Sequence, residues 1–437
     1  MRVSVIGCGH LGAAHAASMA EIGHEVIGVE VDPEKAALLS SGRAWFHEDD
    51  LDDLLAKHLA TGRLRFTTDV AAAADADVHF IGVGTPTGPD GRSYDLSQVF
   101  SAVRALAPHL TRRCLIIGKS TVTVGTTAQV RAQVQALAPA GAQVMLAWNP
   151  EFLQEGFAVR DTLRPDRIVV GIADPEAEPI IRELYGPILA GTDVPLVVTD
   201  IATTELVKGS ANAFLALKIS FINAIADLCE ATGADVSVLA AAIGHDERIG
   251  RKGMYPGLGY GGGCLPKDLR AFGARAQELG ADLVVDLLNT VERANDSRRD
   301  RVIDLVAQAC GGEVTAHRIA VWGASFKPGT DDVRDSPALD VAVRLQRAGA
   351  DVVVFDPEAM ANAKAEAPQL TYAAGAEDAI CAAEVVVLGT EWPVFASADP
   401  VALADLPVRR VLVDARNVVD AQRWRAADWE VLRVGRP

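Results

Sequence analysis

The sequence predicts an α/β protein in which two doubly wound domains are joined by a long central helix and a helical middle domain. Three observations carry this prediction. Short apolar, β-branched runs alternate with helical segments from Met1 to about Thr199 and again from about Val314, the pattern of parallel sheets covered by helices on both faces. A unit of glycine, apolar strand and terminal carboxylate occurs twice, as Gly23-His24-Glu25-Val26-Ile27-Gly28-Val29-Glu30 and as Gly349-Ala350-Asp351-Val352-Val353-Val354-Phe355-Asp356. Between the repeats, Thr203 to Thr232 contains no proline and carries Leu206, Phe214, Leu217, Phe221, Ile225 and Leu228 at helical spacing. A helix of that length would run roughly 45 Å, enough to link two domains and form a dimer surface. The expected segments are 1–199, 200–300 and 314–437, the first and last Rossmann-like.

In the first segment, Val3-Ser4-Val5-Ile6 reads as a strand and Ala13 to Glu21 as a helix, with Gly7-Cys8-Gly9-His10-Leu11-Gly12 between them. GxGxxG in that setting is a dinucleotide fingerprint. Gly7 permits the tight turn, Gly9 lets backbone approach a pyrophosphate, and Gly12 lets helix and strand pack closely, with His10 and Leu11 at the variable positions. Glu30 ends the second strand, where a carboxylate accepts ribose hydroxyls and repels a 2′-phosphate, so NAD is expected over NADP. Asp32 competes for that role, and Lys35 is placed to face the cofactor. Strands follow at 78–83, 114–117, 144–147 and 168–170. Ligands of such sheets bind beyond the strand carboxyl ends, which here carry Thr85 in Gly84-Thr85-Pro86-Thr87, Thr121 in Lys119-Ser120-Thr121-Val122, and Trp148 to Gly156.

In the middle segment, Lys208 and Asn212 stand four apart on the long helix and so share a face. Tyr260-Gly261-Gly262-Gly263-Cys264-Leu265-Pro266-Lys267-Asp268 is the expected centre of the chemistry. Pro266 suits a first helical turn, which puts Cys264 at a helix N-terminus where partial positive charge, aided by Lys267, favours the nucleophilic thiolate. Asp268 falls one turn further on. Taken by itself, such a stretch reads more readily as a glycine turn beside a buried free thiol; the rest of the chain must overturn that reading. His245 to Gly253 is a polar loop with three cations, a surface loop or an anion-binding element. In the third segment, the turn Gly323 to Thr330 lacks the fingerprint spacing, so Lys327 and Arg334 are expected to hold a nucleotide by side chains. Asp356 is either a strand-end relic or a binding group.

The net charge of −17 over 437 residues argues against a nucleic-acid or anionic-membrane surface and leaves anion binding to local Lys and Arg. Six scattered cysteines without a CxxC pair suggest reduced, cytoplasmic thiols and no metal site. No signal-peptide layout or bilayer-length apolar run is read, so a cytoplasmic protein without a membrane partner is expected.

Assembled in order, the glycine turn, Gly84-Thr85-Pro86-Thr87, Lys119-Ser120-Thr121-Val122, Asn149-Pro150-Glu151-Phe152-Leu153, Lys208 with Asn212, Gly261 to Asp268, and Phe326-Lys327-Pro328-Gly329-Thr330-Asp331-Asp332-Val333-Arg334 resemble the UDP-glucose/GDP-mannose dehydrogenase family along essentially the whole chain. The resemblance implies oxidation of a nucleotide sugar's C6 primary alcohol to a carboxylate with two NAD and one water, UDP-glucose being favoured over a UDP-N-acetylhexosamine or GDP-mannose. It implies Cys264 as nucleophile, Lys208 and Asn212 as oxyanion partners, and Thr121, Glu151 and Asp268 as groups that position water and move protons. The base of the first oxidation is left open, with Lys208 a candidate. Phe152, Leu153, Glu155 and Gly261 match the sugar-binding elements, Lys327 and Arg416 the nucleotide-diphosphate contacts, and Arg248 an arginine that reaches a partner subunit's substrate. Lys267 and Arg334 look like cofactor-side cations. A homodimer or higher oligomer on the central helix is implied. The sequence departs from the pattern at His10-Leu11, at Glu30, at Ala44 to Leu51, and at Gly253, where a bulky aromatic often closes the sugar pocket. A two-electron β-hydroxyacid dehydrogenase has no use for Cys264 or the third segment. A non-catalytic NAD-binding regulator would lack the reactive groups.

Overall fold

The computed structural model describes residues 1–436, which form two compact units, Met1–Ala211 with Arg270–Leu279, and Asn212–Leu269 with Gly280 onward. The first unit is built on an eight-stranded sheet of β1 (Arg2–Ile6), β2 (Glu25–Val29), β3 (Leu64–Thr67), β4 (Val78–Ile81), β5 (Cys114–Gly118), β6 (Val144–Trp148), β7 (Ile168–Ile172) and β8 (Leu196–Thr199), in the order 3-2-1-4-5-6-7-8. Every residue of β4, β5 and β6 is buried, which is why these strands read as unbroken apolar runs rather than alternating ones. The helix His10–Glu21 crosses from β1 to β2, and its alanines at 13, 14, 16, 17 and 20 are fully buried, so the backbone lies close on the sheet. Val3, Val5, Met19, Phe80, Leu115 and Ile117 make the core on one face. Ile6, Ile27, Ile81, Ile116, Leu146 and Trp148 make it on the other.

The second unit repeats the order with six strands, β9 (Arg318–Trp322), β10 (Asp351–Phe355), β11 (Thr371–Tyr372), β12 (Val385–Leu388), β13 (Val411–Asp414) and β14 (Glu430–Arg433), arranged 11-10-9-12-13-14 and paired in parallel throughout. In the first unit one pair departs from the expected parallel arrangement. β7 runs antiparallel to β6, Ala147 opposite Ile172 and Trp148 opposite Gly171, because the intervening helix is only Ala158–Leu163, too short for a full crossover. Strands β3, β8, β11 and β14 were not anticipated. All are edge strands of two to four residues, mostly part-exposed, too short to show a period.

Two long helices accompany the sheets, Ile201–Thr232 of 32 residues, about 48 Å, and Asp282–Ala309 of 28. The first is longer than read from the sequence and is, by length and composition, apolar enough to cross a membrane, contrary to the reading that no such run exists. Its polar side chains are engaged within their own units. Glu205 accepts from the N–H groups of Gly125 and Thr127, Ser220 donates to Val291, and Asn223 accepts from Gly257. Gly209 within this helix leaves room for Phe272, whose ring would lie 2.7 Å from a Cβ there.

Asp356 proves to be a structural group. At the end of β10 and fully buried, its Oδ2 accepts from Ala324 N, Ser325 N, Ser325 Oγ and Trp392 Nε1 at 2.8–3.0 Å, and its Oδ1 from Glu358 N and Ala359 N. These bonds stitch the turn after β9 to the end of β10. Removing the acceptor strands several buried donors, so Asp356→Ala should destabilise the second unit by about 3 kcal/mol or more and Asp356→Asn by less. The urea midpoint of that unit measures it, and an unchanged midpoint for Asp356→Ala would contradict the structural role.

Candidate active site

In the first unit the glycine fingerprint is built as its spacing requires. Gly7 has φ +87°, and a Cβ there would meet Val83 at 2.6 Å. At Gly12 a Cβ would fall 1.9 Å from Gly7 O, whereas at Gly9 it would meet nothing within 4 Å. Gly9 is the N-cap of the 10–21 helix and no side chain caps it, which leaves backbone donors and the positive end of the helix for an anionic ligand. Glu30 is buried and its carboxylate accepts from Cys8 N at 3.0 Å and Asp32 N at 3.1 Å, so it is locked beside the glycine turn. Asp32 instead caps the next helix through Glu34 N and Lys35 N. Lys35 lies 4.4 Å over the Trp45 ring, and His10 packs against Trp45 and Phe46 at 4.7 and 4.1 Å. His10 begins the helix and Leu11 follows it in the same helical turn. Thr85 is buried and Thr121 half-buried at the ends of neighbouring strands. An open backbone approach, an uncapped helix end and a fixed carboxylate suit a dinucleotide.

Beyond β5 and β6 lies a buried polar cluster. Lys208 Nζ is 2.9 Å from Glu151 Oε1, with side-chain exposures of 6% and 12%, so this ion pair is nearly out of water. Glu151 also accepts from Leu153 N at 2.7 Å, fixing the turn that presents Phe152, Leu153 and Glu155. Phe152 carries Arg167 on its ring at 3.9 Å, and Lys208 at 5.7 Å. Glu205, one turn before Lys208, receives Thr127 Oγ1 at 2.6 Å in addition to its backbone bonds, which anchors this end of the helix.

In the second unit Cys264 is exposed, whereas Cys8, Cys114 and Cys229 are buried. Its carbonyl accepts the first helical bond, from Asp268 N at 2.8 Å, so Cys264 caps the helix Leu265–Glu278 and sits at the expected N-terminus. Asp268 is 1% exposed, accepts from Asn212 Nδ2 at 2.7 Å and pairs with Lys267 Nζ at 2.7 Å. The three glycines before Cys264 are demanded by the segment they rest on. A Cβ would meet Asp335 O at 2.2 Å from Gly261, the Phe326 ring at 2.8 Å from Gly262, and the Arg334 guanidinium at 2.3 Å from Gly263. Gly262 N donates to Arg334 O at 2.9 Å, and Arg334 is held by Asp332 through Nε and Nη2. Lys327 stands 5.7 Å from the Phe326 ring. Arg416 donates to the carbonyls of Gly389, Gly259 and Phe326, so one guanidinium fastens three loops. Arg248 is set apart, 88% exposed and paired with Asp246. Gly253 has φ +82°, a left-handed turn that explains glycine in place of an aromatic.

Sequence reading missed Arg167 and Glu48, and named Lys119 only as part of a motif, without a role. Glu48 accepts from Gly156 N at 2.9 Å and Ala158 N at 2.5 Å, tying the Trp45 segment to the Phe152 turn. Only spatial proximity reveals these roles, since no spacing links residue 48 to 156. The fingerprint geometry yields a direct test. Gly12→Ala drives a methyl into Gly7 O and should weaken NAD binding by at least about tenfold, measured by fluorescence titration, without lowering the melting of the second unit; unaltered affinity would show the turn is not the cofactor cradle.

Comparisons with known proteins agree with this geometry. Residues 1–189, 202–297 and 320–421 match the NAD binding, central and UDP binding domains of the UDP-glucose/GDP-mannose dehydrogenase family. A UDP-glucose 6-dehydrogenase of Rhizobium meliloti is 41% identical over all of both chains, and one of Haloferax volcanii is 38% identical over 99% of this chain and 100% of its own. Among solved structures, a UDP-glucose dehydrogenase of Pyrobaculum islandicum superposes with a TM-score of 0.91 at 36% identity, covering 100% of this chain and 98% of its own. A UDP-D-ManNAc dehydrogenase of Pyrococcus horikoshii gives 0.87 at 26%, covering 100% and 99%. Three domain matches in order and full-length relatives at this identity establish that the chain belongs to the UDP-glucose/GDP-mannose dehydrogenase family, as an NAD-dependent oxidoreductase of nucleotide sugars.

Proposed function

We propose that the chain oxidises the C6 alcohol of UDP-glucose to the carboxylate of UDP-glucuronate, a four-electron reaction through a thiohemiacetal and then a thioester on Cys264. The observation that carries the reading is an exposed thiol capping a helix on a fixed glycine turn; Cys381 is exposed as well, but no glycine turn of this kind precedes it. The choice of sugar follows the relatives at 35–41% identity, which are UDP-glucose 6-dehydrogenases.

NAD, when bound at Gly7, Gly9, Gly12 and Glu30, supplies the hydride acceptor for both oxidations. The Lys208–Glu151 pair takes the O6 proton in the first, since it is the ion pair of this cluster most withdrawn from water. The Cys264 thiolate then adds to the aldehyde carbon, so that the aldehyde is never released. Lys208 and the Asn212 amide stabilise the oxyanion that forms. After the second hydride leaves, the thioester carbon is attacked by water positioned by Thr121, Glu151 and Asp268, the C–S bond breaks, and the thiolate is restored. We assign the sugar to Phe152, Leu153, Glu155 and Gly261, the diphosphate to Lys327 and Arg416, and the cofactor side also to His10, Leu11, Asp32, Lys35, Thr85, Lys267 and Arg334. Functionally we divide the chain into a cofactor segment 1–199, a central segment 200–300 and a nucleotide-sugar segment 314–437. We further propose a cytoplasmic homodimer on the 201–232 helix, with Arg248 serving the partner's substrate. Phe214, Phe221 and Leu228, exposed at 62%, 49% and 60%, support that surface.

Counting NADH against substrate tests the reading. Two NADH per UDP-glucose are expected, with UDP-N-acetylhexosamines, GDP-mannose and a β-hydroxyacid as comparators, and Cys264→Ala should cut acid formation by at least about 10³-fold. One NADH per β-hydroxyacid, or none with any substrate, would sink the proposal.

A further inference from the structure

Lys119 directly follows β5 and plays no part in the steps above, yet it is a buried cation. Its side chain is buried, and its one hydrogen bond among the described residues runs from Nζ to Asn149 Oδ1 at 3.1 Å. That oxygen is shared with the Tyr185 hydroxyl at 2.5 Å, and the amide is fixed by its own bond to Val169 O at 2.7 Å. A buried ammonium with a single neutral acceptor is a poor arrangement unless a charge nearby compensates it. The opposite charge that bears on it is Glu151, two residues beyond Asn149, and Glu151 is already paired with Lys208. Two buried ammoniums therefore bear on the Glu151 carboxylate.

We infer that Lys119 is a positioning residue for the Lys208–Glu151 pair, a second cation tethered to Asn149 that lowers the proton affinity of both members. This rests on the reading of that pair as the proton acceptor. The sign is the same for either member: a neighbouring positive charge disfavours protonated Lys208 and favours ionised Glu151. The environment of Lys119 is consistent. Burial pushes its ammonium down to about 8, Glu151 opposing this and Lys208 adding to it. The other titratable groups facing it supply no anion. His15, on the helix that crosses β1 to β2, is driven well below its usual range by burial and then by Lys119 and His24, so it stays neutral. Burial pushes the Tyr185 phenol up, so it stays a donor.

The test is the pH dependence of kcat/KM for UDP-glucose in the wild-type protein and in Lys119→Met, Lys119→Arg and Asn149→Asp. Removing the cation should move the acid limb of the Lys119→Met profile up by about one pH unit, a roughly tenfold loss of kcat/KM below the limb. Lys119→Arg keeps the charge and should leave the midpoint near wild type. Asn149→Asp leaves Lys119 in place but neutralises it, and should shift the limb in the same direction as Lys119→Met. A purely structural lysine would lower the plateau and leave the midpoint where it was, and unmoved midpoints in Lys119→Met and Asn149→Asp overturn the inference. If Lys119→Met has lost NAD binding through misfolding, Asn149→Asp decides. A wild-type protein that does not yield two NADH per UDP-glucose removes the functional reading itself, whereas one that does, with unmoved midpoints, removes only the role of Lys119.

Discussion

The hydrogen bond from Asn212 Nδ2 to Asp268 Oδ2, 2.7 Å, is the interaction on which the reactive end of the second unit depends. Asp268 is all but inaccessible to water, so its carboxylate needs partners, and two of them are of different kinds. Lys267 neutralises it from the preceding residue. Asn212 fixes its orientation from another helix. Because Asp268 N closes the first turn on Cys264 O, anything that holds Asp268 also holds the thiol one turn away. A bare carboxylate there would oppose a thiolate at the helix N-terminus, where the dipole contributes only about 0.3–1 kcal/mol. Pairing removes that opposition while leaving the sulfur exposed.

A second economy is the use of a strand-end carboxylate as a clasp. In both units an acidic residue closes the second strand of the sheet and accepts from the turn after the first strand, Glu30 from Cys8 N and Asp356 from Ala324 and Ser325 N. The glutamate makes two such bonds and lies beside an open glycine, so it retains acceptor capacity for a ligand. The aspartate is saturated by six donors and walled in by Trp392, so it has none to spare. One sequence pattern thus yields a carboxylate with acceptor capacity to spare in one unit and a structural pin in the other.

That pair shows what was legible and what was not. The glycine, strand and acid pattern revealed both sheets, because strands buried on both faces must be apolar throughout. It did not tell the two carboxylates apart, because the four donors that fill Asp356 Oδ2 come from residues more than 30 positions away. The Cys264 helix was legible because proline, glycine and cysteine each have a local backbone reason for their place. Outer strands such as β11 were not, since two half-exposed residues carry no period. Arg167, Glu48 and Lys119 act through space rather than along the chain, and no spacing announces them.

The acidic composition sharpens the meaning of these buried cations. In a chain of net charge −17, long-range attraction to a nucleotide sugar and a dinucleotide, both anionic, is absent, so affinity must come from short-range donors that the fold withdraws from water. Within a Debye length of about 8 Å at physiological salt, a few lysines and arginines outweigh the distant acids. Most of them are restrained by an acid or carbonyl: Arg334 by Asp332, Lys267 by Asp268, and Arg416 by three carbonyls. Such restraint lowers the entropy lost when a ligand arrives. It also gives up part of each charge to the neighbour, and the Lys208–Glu151 pair represents the limit of that trade. There cation and acid lie 2.9 Å apart and nearly out of water, so each is held chiefly by groups of the same buried cluster.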